Sequence, residues 1–261
     1  GINNSNGEYI VFLDSDDTIS PKLLTLFYKV IEEQHTDLAF CNFSIVTNTQ
    51  ITFNKVDVKK VSSKEDISSQ FEKLYNANLL NCCWGKCYKR NLINYQFDSK
   101  LQLGEDFLFV LNYLKNAKTV NYINQELYNY YALSENTLSF VGGIKRLENL
   151  YDVYDQSKDI LQELFDTNCF EYALERKFCI NILDSAERIA RSNKISIQDK
   201  YNVYDSVSLK VRGLNCEKLH IEDANKKFGL EYRLIKQQHY IFYTGLCKII
   251  YILHLIKMKF E

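Results

Sequence analysis

Gly7-Glu8-Tyr9-Ile10-Val11-Phe12-Leu13-Asp14-Ser15-Asp16-Asp17 is the stretch on which the reading of the chain turns. Its five consecutive apolar residues predict a strand over 9–13, and an unbroken apolar run predicts burial on both faces. The run stops abruptly at three carboxylates within four positions. Like charges so crowded raise one another's pKa unless a cation lies among them. Ligands of open α/β sheets bind beyond the carboxyl ends of strands. Hard oxygen donors at that place suit Mg²⁺ or Mn²⁺ shared with substrate phosphates. The plain alternative is an acidic turn that only leads into the next helix.

Outward from this stretch, residues 1–8 are turn chemistry of Asn, Ser and Gly. On the other side, Ser20 can cap a helix with Pro21 in its first turn, running to about Gln34. Leu38–Ile45 reads as a second strand, which makes a strand–helix–strand unit. Residues 47–61 read as a hairpin or loop. Ser63 with Asp66 forms a capping-box pattern opening a helix through Asn76. The segment Leu79–Lys89 precedes a short helix near Asn91. Gly104-Glu105-Asp106 opens a helix to about Asn116, with its acids in the favourable first turn. Thr119–Ile123 and Glu126–Tyr131 read as short strands. From Val141 onward only helices are expected. Leu147, Leu150, Tyr151, Tyr154, Leu161 and Leu164 recur at helical spacing, as do Leu174, Phe178, Ile182 and Ile189. Ser196 with Asp199 caps a further helix. The expected division is a mixed α/β part over 1–140, a helical extension over 141–232 and a basic, apolar terminal helix over 233–261.

Composition narrows the function. The 261 residues are 46% hydrophobic and 25% charged, ample for a core. The net charge of −1 supplies no basic field for nucleic acid, which is not an expected partner. Eight Cys are too few for a disulfide scaffold in a chain of this length, and the four His lie far apart in sequence. The cluster Cys82, Cys83 and Cys87 therefore reads as structural thiols, consistent with a reducing cytosol. In residues 233–261 Arg233, Lys236, Lys248, Lys257 and Lys259 face only Glu261. Tyr240–Ile256 is apolar but shorter than the ~20 residues of a membrane span. It fits either a helix in the headgroup layer of an anionic bilayer or a helix packed on its own domain.

Two families share the acidic spacing. Asp14-Ser15-Asp16-Asp17-Thr18 resembles the Asp-x-Asp-x-Thr of haloacid-dehalogenase-like Mg-dependent phosphatases, where the first Asp is a phosphoryl nucleophile and the second a general acid. The longer run Gly1-Ile2-Asn3-Asn4-Ser5-Asn6-Gly7-Glu8 through Asp17 resembles the family 2 glycosyltransferases of GT-A fold, and in particular those of bacterial surface-polysaccharide synthesis. Later motifs follow that family in order: Trp84-Gly85-Lys86 with Tyr88-Lys89-Arg90, then Gly104-Glu105-Asp106, then Tyr128-Asn129-Tyr130-Tyr131 with Asn136-Thr137. The family often has a basic residue where this chain has Ala132.

The resemblance implies an α/β, GT-A-like mixed sheet lacking its first strands, followed by a C-terminal helical region. It implies an inverting, metal-dependent transfer of a sugar from a nucleotide-sugar donor to a glycan or lipid-linked acceptor. Asp14 would meet the donor ribose or the metal, and Asp16 would bind Mn²⁺ or Mg²⁺. Asp17 would be an outer or helix-capping residue. Asp106 would be the catalytic base and Glu105 would position the acceptor. Trp84 and Lys86 would lie on the acceptor side, and Tyr130 and Tyr131 would pack beneath the site. The setting would be cytoplasmic, at the inner face of the plasma membrane. A catalytically inactive partner subunit is the non-enzymatic alternative. The family pattern also implies about 80–100 further residues upstream of Gly1, by the size of a nucleotide-binding half-domain.

Overall fold

The computed structural model describes residues 1–54, 56–132, 143–214, 219 and 226–258. The chain divides into two compact units, Gly1–Thr137 with Asp155–Ala173, and Leu138–Tyr154 with Leu174–Glu261. Asp155–Ala173 thus groups with the sheet-bearing unit, and the terminal helix groups with the other helices. The expected boundary near residue 140 and the Asn136-Thr137 pair lie outside the described residues.

The first unit is built on strands β1 (Tyr9–Val11), β2 (Thr18–Ile19), β3 (Leu38–Val46), β4 (Ile51–Phe53), β5 (Lys86–Lys89) and β6 (Val120–Tyr131). They run in the order β1-β5-β3-β6-β2, with β4 hairpinned onto β3. Only β3 and β6 are parallel; every other pair is antiparallel. The fully buried strand is β3, whose residues Leu38–Ser44 are all inaccessible, as a strand covered on both faces requires. Helices α1 (Leu23–Glu33), α2 (Lys64–Ser69), α3 (Phe71–Asn76) and α4 (Glu105–Asn116) cover it. Leu23, Phe27 and Ile31 form the buried stripe of α1 at four-residue spacing. Nearly all of the α4 run Phe107–Leu114 is buried, and Asn112 satisfies its amide on Leu108 O.

Four expectations need correction. The strand at 9–13 is shorter and lies at the edge of the sheet: only Ile10 is buried, and Leu13 is 50% exposed. Its apolar character serves packing of another kind, since Phe12 stands edge-on to Tyr88, Phe97 and Phe109 at 5.4–5.6 Å. Ser20 and Pro21 form a turn before α1, in which Ser20 Oγ accepts from Lys22 N–H, and the helix begins at Leu23. The single helix expected to Asn76 breaks at Gln70 into α2 and α3, although its capping box between Ser63 and Asp66 is complete. The two short strands beyond residue 119 are one strand, β6, whose pairing with β3 shifts register on either side of Asn42. Asn42 is buried there and donates to Asn54 O at 2.6 Å.

The second unit holds α5 (Ile144–Leu164) up to Tyr154 and α6 (Glu171–Arg191) from Leu174. It continues with α7 (Ile197–Gly213), α8 (Lys226–Lys236) and α9 (Tyr240–Met258). Ser196 caps α7 by accepting from Asp199 N–H at 3.1 Å, as the sequence predicts. Leu174, Phe178, Ile182 and Ile189 are all buried, and Tyr154 stacks on Phe178 at 4.0 Å.

Asp37 joins three strands at the start of β3. Its carboxylate accepts from Lys118 N at 2.8 Å and Thr119 N at 3.2 Å, and pairs with Lys89 Nζ at 3.1 Å. Burial works to raise its pKa, but these donors outweigh burial and hold the carboxyl below the usual range. A depressed folded-state pKa gives stability that is present above the unfolded value of about 4 and lost as pH falls through the folded one. Asp37→Asn is expected to lose on the order of 1–2 kcal/mol at pH 7. Urea titrations should show the gap to wild type closing below about pH 4.

Candidate functional site

The chain leaves β1 at one edge of the sheet and re-enters it as β2 at the other, so residues 12–17 cross the end of the sheet. A hydrogen bond from Asp17 N to Asp14 O at 3.1 Å closes the crossing into a turn. Within this turn the carboxylates have opposite fates. Asp17 is buried: Oδ1 accepts from Tyr131 N at 2.8 Å and Oδ2 from the Tyr128 hydroxyl at 2.7 Å. It is neither a helix cap nor open to solvent; it pins the turn to β6. Asp14 and Asp16 remain exposed. Desolvation by the surrounding protein, then the charges of Asp17, Asp106 and Asp16, lift the Asp14 carboxyl above its ordinary range.

Asp106 arrives from a different direction. Gly104, at φ +84°, turns the chain into α4, and a left-handed residue is least strained as glycine. Glu105 and Asp106 then occupy the first helical turn, where the dipole favours negative charge. Asp106 Oδ2 accepts from Cys83 N at 3.1 Å. Burial first and Asp106 second raise the Glu105 carboxyl, partly offset by a backbone N–H.

The third wall is the loop Cys82–Gly85 before β5. Gly85 has φ +65°, and its carbonyl accepts from Cys41 N at 3.0 Å. Lys86 is buried at 2% exposure, and its ammonium donates to Cys82 O at 2.6 Å and Trp84 O at 3.4 Å. Its sequence-based place among the substrate contacts is therefore taken by an inward role, as the cation around which the loop is wrapped. Tyr88 OH donates to Cys83 O at 3.0 Å. Trp84, half-buried, lies parallel to Tyr128 with centroids 4.4 Å apart and to Tyr130 at 5.8 Å, and meets Phe43 edge-on. Tyr130 in turn feels the charges of Asp17, Asp16 and Asp14. The thiols are structural: burial pushes Cys41 and Cys87 up to about 12, far from a reactive thiolate.

Asp14, Asp16, Asp106, Glu105 and Trp84 thus meet at one end of the sheet, and Lys86 lies beneath them. For two residues the sequence reading did not find the part they play in the site. Tyr128 entered only as part of the Tyr128-Asn129-Tyr130-Tyr131 motif, with no role of its own, and Cys83 only as one of three structural thiols, although it meets Asp106 through its N–H and its thiol. Among the described residues no group of three or more His, Cys, Asp or Glu closes around one point. The exposed carboxylates of Asp14 and Asp16 are hard oxygen donors of the kind a divalent cation takes, and they would hold one only together with other oxygens.

Residues 1–94 match the glycosyl transferase family 2 model. Over 236 residues the chain is 28% identical to "Glycosyltransferase GlyA" of Streptococcus pneumoniae, covering 87% of this chain and 32% of that protein. It is 30% identical over 134 residues to the poly(ribitol-phosphate) beta-glucosyltransferase of Bacillus spizizenii, covering 49% of this chain and 19% of that one. The chain therefore spans a third or less of the length of these relatives. Its fold matches that of TarS residues 1–349 from S. aureus, solved in complex with UDP-GlcNAc. The TM-score is 0.55 at 17% identity, over 97% of this chain and 70% of that one. The fold is GT-A-like α/β with a C-terminal helical region, and the chain resembles the family 2 glycosyltransferases of surface-polysaccharide synthesis.

The electrostatic link between Asp14 and Asp106 is directly measurable. Asp106→Asn removes a like charge and should lower the Asp14 carboxyl pKa in cation-free protein, read by carboxyl carbon NMR. An unchanged Asp14 titration would show that the two side chains are not neighbours.

Proposed function

We propose that this chain carries the catalytic end of a family 2 glycosyltransferase that moves a sugar, with inversion, from a nucleotide-sugar to a glycan or lipid-linked acceptor of the bacterial surface. The observation that carries the reading is the meeting of Asp14, Asp16 and Asp106, remote in sequence, at one open end of the sheet. Asp14 and Asp16 would hold Mn²⁺ or Mg²⁺, with Asp14 also placed to meet the donor ribose. A cation bound there would offset the charge that develops on the departing diphosphate.

Asp106 receives the proton of the acceptor hydroxyl as it attacks the anomeric carbon. The Cys83 N–H fixes one oxygen of that carboxylate, and the Cys83 thiol bonds to the same carboxylate. Glu105 and the Trp84 ring border the acceptor side, where an aromatic face can stack on a sugar. Lys86 contributes by holding the loop that presents Trp84. The phosphatase reading loses its footing at Thr18, which lies in β2 with its hydroxyl accepting from Asn129.

In the full-length protein, Asp16→Asn should abolish the part of UDP or UDP-N-acetylglucosamine binding that depends on Mn²⁺, measured by calorimetry. Asp106→Asn should cut transfer by at least about a hundredfold while donor affinity stays near wild type. Collapse of donor affinity with turnover would make Asp106 a donor ligand. Metal-dependent nucleotide binding without any turnover by the wild type would favour the inactive partner subunit.

The same reading places the protein in the cytoplasm against the membrane. Among the described residues no helix is long and apolar enough to cross a bilayer. Helix α9 buries Tyr243 and Cys247 against its own unit, with Tyr243 edge-on to Tyr204 at 5.1 Å. Its other side leaves Ile241, Phe242 and Ile249 exposed by 75%, 72% and 58%. From Tyr232 to Phe260 the sequence holds five basic residues and no acidic one. Such a helix matches the headgroup layer of an anionic bilayer. Replacing Ile241, Phe242 and Ile249 together by Gln should weaken binding to phosphatidylglycerol vesicles by at least about tenfold. High salt should weaken the wild type. Equal vesicle binding by both proteins at low salt would exclude the surface.

A further inference from the structure

A ring that only filled the core would need no hydroxyl, yet the Tyr128 hydroxyl is used twice. It donates to Asp17 Oδ2 at 2.7 Å, and its oxygen accepts from Asp14 N at 3.3 Å. One side chain, itself 1% exposed, thereby holds the first and last residues of the acidic turn. The second Asp17 oxygen is taken by Tyr131 N, so the turn is fastened to β6 at three points. The ring is fixed as well. Trp84 covers it in parallel, 4.4 Å between centroids and 12° between planes, and Trp84 is held by the loop wrapped around Lys86.

We propose that Tyr128 is a positioning residue: its hydroxyl sets the acidic turn in the shape that binds the cation and diphosphate, and its ring ties that turn to Trp84 on the acceptor side. The inference rests on the transferase reading for the identity of the ligands, but the mechanical claim stands on the contacts. A tilt of the Tyr128 ring moves the Asp14 amide, the Asp17 carboxylate and the Trp84 face together. The donor and acceptor sides of the site behave as one body joined through a single side chain.

Tyr128→Phe keeps the ring and the stack and removes only the hydroxyl. In full-length protein free of cation and nucleotide, hydrogen exchange across residues 14–19 should rise several-fold while β3 is unchanged. Mn²⁺-supported binding of UDP should weaken by roughly tenfold, the scale of one hydrogen bond to a charged group. Unchanged exchange at 14–19 overturns the proposal whatever the binding does. Raised exchange with UDP bound as tightly as by wild type overturns it also, because the turn would then be held for some other end. Raised exchange in the variant, with no Mn²⁺-dependent UDP binding even by wild type, removes the cation reading of Asp14 and Asp16 but leaves Tyr128 as the residue that holds the turn. If Tyr128→Phe does not fold, Asp17→Asn must give the same exchange pattern, and its failure to do so overturns the proposal equally.

Discussion

The buried carboxylate of Asp17 is the contact on which the site depends. Between Val11 and Thr18 the chain must cross four strand spacings, about 19 Å at ~4.8 Å each. Seven residue steps reach at most about 25 Å when fully extended, and the turn between Asp14 and Asp17 uses up most of the surplus. A crossing with so little slack needs a fixed point at its far end. Asp17 supplies it by accepting from Tyr128 and Tyr131 on β6. A buried carboxylate is tolerable only when hydrogen-bonded in this way, and the bonds it needs are the ones that hold the crossing in place.

The two other walls of the site are set by the same rule applied to the backbone. The loop Cys82–Gly85 passes beneath the acidic turn without secondary structure, so its carbonyls and amides need partners from elsewhere. Lys86 and Tyr88 serve the carbonyls of Cys82, Trp84 and Cys83 from inside, and Cys41 serves that of Gly85. The amide of Cys83 is left facing α4, where Asp106 accepts from it. The orientation of the carboxylate that would act as base is thus a by-product of satisfying a buried loop.

Much of this was legible in the sequence, and the parts that were not have physical reasons. The motif run through Asp17, the capping box at Ser63, the Ser196 cap and the helix opening at Gly104 depend on local chemistry, which a sequence displays directly. The apolar run Tyr9–Leu13 misled because such a run records how much apolar contact a segment makes, not whether a strand lies on each side of it. Phe12 takes its contacts from side chains beneath the sheet end, so β1 is apolar and still at an edge. Lys86 looked like a substrate contact because a lysine beside a tryptophan is hard to place in a core. Three backbone and thiol acceptors supplied by a loop cannot be foreseen from residue types. The role of Tyr128 was hidden for a related reason, since an aromatic strand motif says nothing of where a hydroxyl ends.

One turn therefore contains carboxylates of two kinds, and the difference between them is where the chemistry arises. Asp17 has its charge met by the protein's own donors, which fixes the fold and leaves it nothing to bind. Asp14 is bonded through its backbone N–H and carbonyl, while desolvation first and three acidic neighbours second raise its carboxyl pKa. A sequence selected for stability alone would remove that repulsion by substituting Asn at Asp14 or Asp16. On the proposed reading, that repulsion, in a turn tied down by the satisfied Asp17 carboxylate, would give a divalent cation a reason to bind at this end of the sheet. A turn fixed in this way would suit Mg²⁺ or Mn²⁺, which reward oxygens already in place, whereas a loose acidic loop would have to be ordered at the expense of affinity.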